Sequence, residues 1–180
     1  MHADLLIVLA RTSEHRSRGV TMFLVEKSAA GVSATEINTF AINSYDTCSV
    51  AFDDVALRDD AVLGEVDQGF IQVLSTLNSE RLNAAAVAVG IGRGAQQLAV
   101  EYARERQAFG RPIGQFQSLQ HRLVHAGVAL EQAWLTTQMA ALAEEQGQAN
   151  IEVSSAIAKL AASKAANEAV RTGIDRKSVV

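Results

Sequence analysis

Between Phe70 and Tyr102 the chain runs without a proline through a stretch rich in alanine, leucine, glutamine and arginine, and then meets RQAFGRPI. Those residue types favour unbroken helix. The run therefore predicts one long helix from about Asp67 to Arg106, with Asp67 placed to cap it. Gly110 can adopt the left-handed backbone that closes a helix, and Pro112 forbids its continuation. A helix of this length needs partners, and the segments after the break supply them.

A second helix is expected from about Gln115 to Glu145, with Phe116, Leu119, Leu123, Leu130, Trp134 and Leu142 on one apolar face. A third starts near Asn150 and carries Ile151, Ile157, Leu160 and Ala161. Short loops between them imply antiparallel neighbours, as in an up-and-down bundle. On the first helix Val73, Leu77, Glu80, Ala84, Val87, Ile91 and Leu98 recur at spacings of three, four and seven, which predicts a single core-facing stripe. Glu80 is the one charge on it.

Residues 1–65 read differently. Ala3 to Ala10 and Val20 to Glu26 are short apolar runs separated by the polar, basic RTSEHRSRG, a pattern that suits two strands of a hairpin. Gly31 opens the next segment, and SVAFD, from Ser49 to Asp53, alternates as a half-buried strand does. Gly64 and Gly69 mark the passage from sheet to helix. The expected class is α+β: a partial antiparallel β-domain (1–65), then an up-and-down antiparallel helical bundle (66–174) with three of four helices present. The last six residues, DRKSVV (175–180), match the translation of a sequencing adapter and are read as a non-native tail.

With 180 residues, 48% of them hydrophobic, and a net charge of -4, the chain can bury a core, and nothing in its composition suggests nucleic acid. Cys48 is the single cysteine, which leaves no intrachain disulfide and fits a reducing compartment. No apolar run reaches membrane-spanning length and no signal peptide opens the chain, so a cytoplasmic location without a membrane partner is expected.

A carboxylate on a core-facing stripe is costly unless partnered, and burial raises the pKa of such a group toward the range of a working base. Glu80 is therefore either a candidate base or an edge residue, solvated and paired with an arginine. Arg106 lies 26 residues further on, about 39 Å along a continuous helix at roughly 1.5 Å per residue. The two cannot serve one small site in a single chain. Either there are two sites, or each site is shared between subunits. Arg106 also suits the negative end of a helix dipole without any further role. His121 and His125 are four apart, but no cysteine or carboxylate completes a metal set with them, and no metal is expected.

The string Tyr102-Ala103-x-x-Arg106-x-x-Phe109-Gly110-x-x-Ile113-x-x-Phe116-Gln117-x-x-Gln120, preceded by Glu80-Arg81, resembles the C-terminal domain of the acyl-CoA dehydrogenases. ADLLIVLAR, VTMFLVEK, AGVSATEI and CSVAFDDVAL are similar to later strands of that family's middle β-domain, so the resemblance runs over nearly the whole chain and implies a fragment of a longer protein. It implies α,β-dehydrogenation of an acyl-CoA thioester in fatty acid metabolism, with FAD as cofactor, electron-transfer flavoprotein or a similar acceptor as partner, and a homotetramer or hetero-oligomer formed through the helical domain.

Carried over residue by residue, Arg106, Phe109 and Gln117 reach the FAD of a neighbouring subunit, and Arg81 lies close to the acyl-CoA. The family often has D-x-x-R where this chain has Asn78-Ser79-Glu80-Arg81, so Asn78 keeps a hydrogen-bonding side chain but loses the charge. In most members the base is a glutamate in a later segment, beyond position 174 here. In a minority, including isovaleryl-CoA types, it occupies the position of Glu80. Two other readings are a non-catalytic partner subunit that completes a neighbour's FAD site, and another flavoenzyme of the same architecture, of the nitroalkane oxidase or flavin monooxygenase type.

Overall fold

A computed structural model of the chain describes residues 3–16, 18–40 and 46–175. The chain divides into two compact units, 1–75 and 76–180.

In the first unit β1 (Leu5–Arg11) pairs with β2 (Val20–Glu26) as an antiparallel hairpin, in continuous register from Leu5 opposite Glu26 to Arg11 opposite Val20. The polar connection expected between these runs is partly ordered by Arg11, whose guanidinium donates to the carbonyls of Ser13 and His15. The apolar runs are wider than one buried face requires: Leu6 and Val8 are half-buried, whereas Leu5, Ile7 and Leu9 on the other face are exposed. β3 (Val32–Glu36) pairs antiparallel with β4 (Cys48–Phe52).

Asp67 does not cap the long helix. Its backbone is left-handed (φ 64°), its N–H donates to Thr21 Oγ1 at 2.8 Å, and its carboxylate accepts from Thr12. Thr21 is fully buried and its hydroxyl also lies 2.7 Å from that of Thr12. The carboxylate is thus committed to the β1–β2 hairpin. Helix α1 begins only at Gly69 and runs unbroken for 37 residues to Glu105.

In the second unit α1 is followed by α2 (Gln117–Glu145) and α3 (Ile151–Asp175). Their order is up-and-down. Ser79 meets Glu144, Arg93 meets Glu131, and Gln96 donates to the Leu123 carbonyl, so α2 runs antiparallel to α1. Arg122 pairs with Asp175 at 2.7 Å, which sets α3 antiparallel to α2. The three helices and short antiparallel sheets make an α+β chain, as expected. Asp175 is the last residue of α3, and 176–180, the remainder of the expected tail, lie outside the described residues.

The core of this unit corrects the stripe read from the sequence. The buried face of α1 carries Leu82, Ala85, Val89, Gly92, Ala99 and Ala103. Val87, Ile91 and Leu98 are about 60% exposed, and Glu80 and Ala84 are exposed with them. At 3.6 residues per turn Glu80 sits roughly 160° around the helix from Leu82. The large residues recur with helical period, but so does a second row of small ones, and the small row makes the contact. On α2 the same shift applies in part: Leu119, Leu123 and Leu130 are buried, Phe116 and Trp134 are partly buried, and Leu142 is exposed. On α3 the contact row is Ser155, Ala158, Ala162, Ala165, Ala166 and Ala169, while Ile157 and Leu160 face outward.

The break after α1 is a hairpin. β5 (Gln107–Ala108) pairs with β6 (Arg111–Pro112), and the two residues between them, Phe109 (φ 51°) and Gly110 (φ 78°), both have left-handed backbone, as a type I′ turn requires. Gly110 therefore closes a hairpin and not the helix. A single turn of 3₁₀ helix, Ile113–Gln115, then delays the start of α2 by two residues.

Candidate functional site

The hairpin that follows α1 owes its position to its base. The Arg106 N–H continues the helical pattern to Tyr102, while the Arg106 carbonyl accepts from the N–H of Ile113 at 2.8 Å. Ile113 is buried with Ala99, Ala103, Leu119 and Leu123, so the root of the hairpin is locked between the end of α1 and the start of α2. Ala108 packs partly against that cluster, while the functional candidates lie outside it. Arg106 and Gln117 are exposed, and Phe109 is 81% exposed at the tip. The Phe109 ring has one aromatic neighbour: it meets Phe116 edge to face with centroids 6.2 Å apart, and the Arg111 guanidinium lies 4.3 Å over the Phe116 ring. One short segment thus presents a guanidinium, an aromatic face and an amide. That set suits a large, flat, anionic ligand.

A second group lies near the other end of the helical unit. Arg81 Nη1 donates to Asn78 Oδ1 at 3.0 Å, and the same oxygen accepts from Ser155 Oγ of α3 at 3.2 Å. Asn78, which stands where the family often has aspartate, thus bonds Arg81 through its amide oxygen. Among the described residues Arg81 has no carboxylate partner. Glu80, between them in sequence, points outward and makes no ion pair among the described residues, so neither burial nor pairing with an arginine accounts for it within this unit. Ser79 donates to Glu144, tying this end of α1 to α2.

The structure brings Asn78 and Arg81 together, and separately Phe109 with the segment bearing Arg106 and Gln117. It does not bring the two groups together, because α1 runs unbroken from Glu80 to Glu105. The separation of about 39 Å implied by helical rise stands. A groove of about 300 Å³ between α1 and α2, lined by Arg93, Gln96, Val100 and Gly127 among others, includes none of the six expected residues. His121 and His125 are both exposed. Sequence reading missed Ser155 and Phe116. The first is 77 positions from the residue it touches, and the second stands in the motif and on an apolar face, neither of which reveals its contacts with Phe109 and Arg111.

The acyl-CoA dehydrogenase C-terminal domain model matches residues 67–175, and that family's middle domain model matches residues 1–55. The chain belongs to the acyl-CoA dehydrogenase family. Relatives of this acyl-CoA dehydrogenase family chain include the mitochondrial short/branched chain specific acyl-CoA dehydrogenase of Rattus norvegicus, 34% identical over 92% of this chain and 38% of that protein. The glutaryl-CoA dehydrogenase of Desulfococcus multivorans is 34% identical over 94% of this chain and 45% of its own length. The chain thus spans less than half of either relative. Among solved structures, a glutaryl-coenzyme A dehydrogenase complex with glutaryl-CoA superposes with a TM-score of 0.92 at 31% identity, over 97% of this chain and 45% of that one. PigA with FAD and proline superposes equally well, TM-score 0.92, at 29% identity, over 97% of this chain and 46% of that one. Among the described residues no helix is long and apolar enough to cross a membrane.

Proposed function

We propose that the protein to which this chain belongs is an FAD-dependent acyl-CoA dehydrogenase acting on the α,β bond of an acyl-CoA thioester. The observation that supports this best is the α1–α2 connection, which holds Arg106 at its start, Phe109 at the hairpin tip and Gln117 at the first residue of α2, all exposed around a buried root. Arg106 would pair with a pyrophosphate, Phe109 would pack on an aromatic ring system, and Gln117 would hydrogen-bond it; together they suit FAD, which when bound supplies the hydride-accepting chemistry. Arg81, oriented by Asn78, would hold the acyl-CoA, and Glu80 is the candidate base for the α proton. Since these residues lie too far from Arg106 for one small site, the hairpin would serve the FAD of a neighbouring subunit in a homo- or hetero-oligomer, a homotetramer in the first instance. Electrons would pass on to electron-transfer flavoprotein or a similar acceptor, in the cytoplasm. We assign 1–65 to the end of the middle β-domain and 66–174 to the helical bundle, to which Asp175 also belongs through its pair with Arg122.

In the full-length protein Arg106→Ala should weaken FAD binding roughly ten- to a hundredfold and loosen subunit association with it, a charge-assisted contact contributing on the order of 1.5 to 3 kcal/mol. FAD affinity unchanged within about a factor of two would remove Arg106 from the cofactor's contacts. Glu80→Gln keeps the shape but cannot take a proton, so flavin bleaching by an acyl-CoA on rapid mixing should slow at least about a hundredfold with FAD content intact. Near-normal bleaching would move the base elsewhere. The likeness to PigA, whose complex contains FAD and proline, favours as second reading a flavoenzyme of this fold with another substrate. A wild-type flavin that no acyl-CoA bleaches would select it.

A further inference from the structure

Resting on the reading of Arg81 as a contact of the acyl-CoA, we propose that Ser155 is a positioning residue that orients Arg81 through Asn78.

The geometry leaves little choice of roles. Arg81 has only donors, so the atom of Asn78 that lies 3.0 Å from its Nη1 is the amide oxygen. That oxygen also lies 3.2 Å from Ser155 Oγ, which therefore donates to it. An asparagine has two faces of nearly equal shape, one accepting and one donating. If the amide turned over, its NH₂ group would face the guanidinium and the contact would become repulsive. The guanidinium, which cannot accept, sets which way the amide faces, and the Ser155 hydroxyl, by donating to the same oxygen, ties that amide to α3. Ser155 is the donor with a fixed location, because it is fully buried (0% exposed) and belongs to α3, whereas Asn78 and Arg81 share α1. No bulk water reaches the Ser155 position to replace it. The hydroxyl is also within 3.2 Å of the Glu152 carbonyl, the usual local partner of a helical serine, so its proton is shared between the two.

This assignment has a consequence that simple packing does not. An aspartate at position 78 would hold the guanidinium by charge, through either oxygen, and would depend far less on a hydroxyl from α3. The serine should matter with asparagine at 78 and cease to matter with aspartate there.

The test is a double-mutant cycle in the full-length, FAD-loaded protein, with binding of butyryl-CoA and isovaleryl-CoA followed by calorimetry and thermal unfolding recorded alongside. Ser155→Ala should weaken acyl-CoA binding roughly three- to tenfold, the range of one neutral hydrogen bond. In the Asn78→Asp background the same change should weaken it less than about twofold. Equal losses in both backgrounds, or no loss in either, would overturn the positioning role. Arg81→Ala separates this from the parent reading: if it weakens binding and Ser155→Ala does not, only the positioning role falls. If Arg81→Ala leaves binding unchanged, or wild type binds neither acyl-CoA, both fall. Should Ser155→Ala unfold the protein, Ser155→Cys, close in size but a much weaker donor, takes its place in both backgrounds with the same outcomes expected.

Discussion

The inner seam of the helical unit and its outer faces follow opposite rules of size. Where α1, α2 and α3 touch, the contact residues are mostly alanine, with Gly92, Ser155 and Thr137 among them and Leu82, Val89 and Leu130 as the larger pieces. Outside, the same helices carry Val87, Ile91, Leu98, Val128, Leu135, Met139, Ile157 and Leu160, all more than half exposed. Small residues let helix axes approach closely, and close approach multiplies weak dispersion contacts without large side chains. Gly92 marks one close approach: a Cβ there would lie 2.4 Å from Leu130 Cδ2 and 3.0 Å from the Ala166 Cα. The outer residues cannot gain from that seam, and their apolar area is available to other surfaces.

Matched substitutions on the two faces would break or sharpen this contrast. The largest difference should come from two leucines of α2. Leu130→Ala removes a side chain that is 1% exposed and should cost about 2–5 kcal/mol, while Leu135→Ala, at 59% exposed, should cost this chain under about 1 kcal/mol. Urea denaturation of both variants reads the difference, and comparable losses would mean that the outer face is packed too.

Next come two glycines of α1. Gly92→Ala should destabilise by about 1–3 kcal/mol through overpacking, whereas Gly90→Ala, with nothing within 4 Å of its added Cβ, should stabilise by about 0.4–1 kcal/mol through helix propensity and lost unfolded-state freedom. The same chemical change two positions apart should therefore shift thermal midpoints in opposite directions. The smallest effect belongs to the exposed rim, where Arg93 pairs with Glu131 at 2.8 Å and lies 5.1 Å over Trp134. Glu131→Gln should cost under about 1 kcal/mol, and less in high salt. A larger or salt-independent loss would place that pair inside the seam.

The strands, the hairpin joining β1 to β2, the length of α1 and the order of the helices were legible because their signals are local: apolar runs, a polar turn, a proline-free alanine stretch and one proline. The facing of α1 was not. Periodicity arguments weight large side chains, and here Val87, Ile91 and Leu98 form a cleaner row than the alanines that make the contact. Gly110 was legible as left-handed but not as to its use, since a helix end and a type I′ turn ask the same of the backbone. Asp67 failed as a cap for a long-range reason, its partners Thr12 and Thr21 lying 55 and 46 positions away. Asn78, Glu80, Arg81, Arg106, Phe109 and Gln117 came into view through the motif and the resemblance it carries. What the sequence could not supply was the Ser155 contact, which exists only once α3 lies against α1.

Phe109 stands in a backbone region that disfavours every side chain except glycine's, and asparagine's to a lesser degree, at a typical penalty of about 1–2 kcal/mol. Its ring gains little shelter in return, being four-fifths exposed. Judged by foldability alone, glycine would be the better residue at this tip. The position is therefore one where durability and usefulness pull in opposite directions, so screening variants for heat resistance alone would select against the phenylalanine and discard whatever the ring is there to touch.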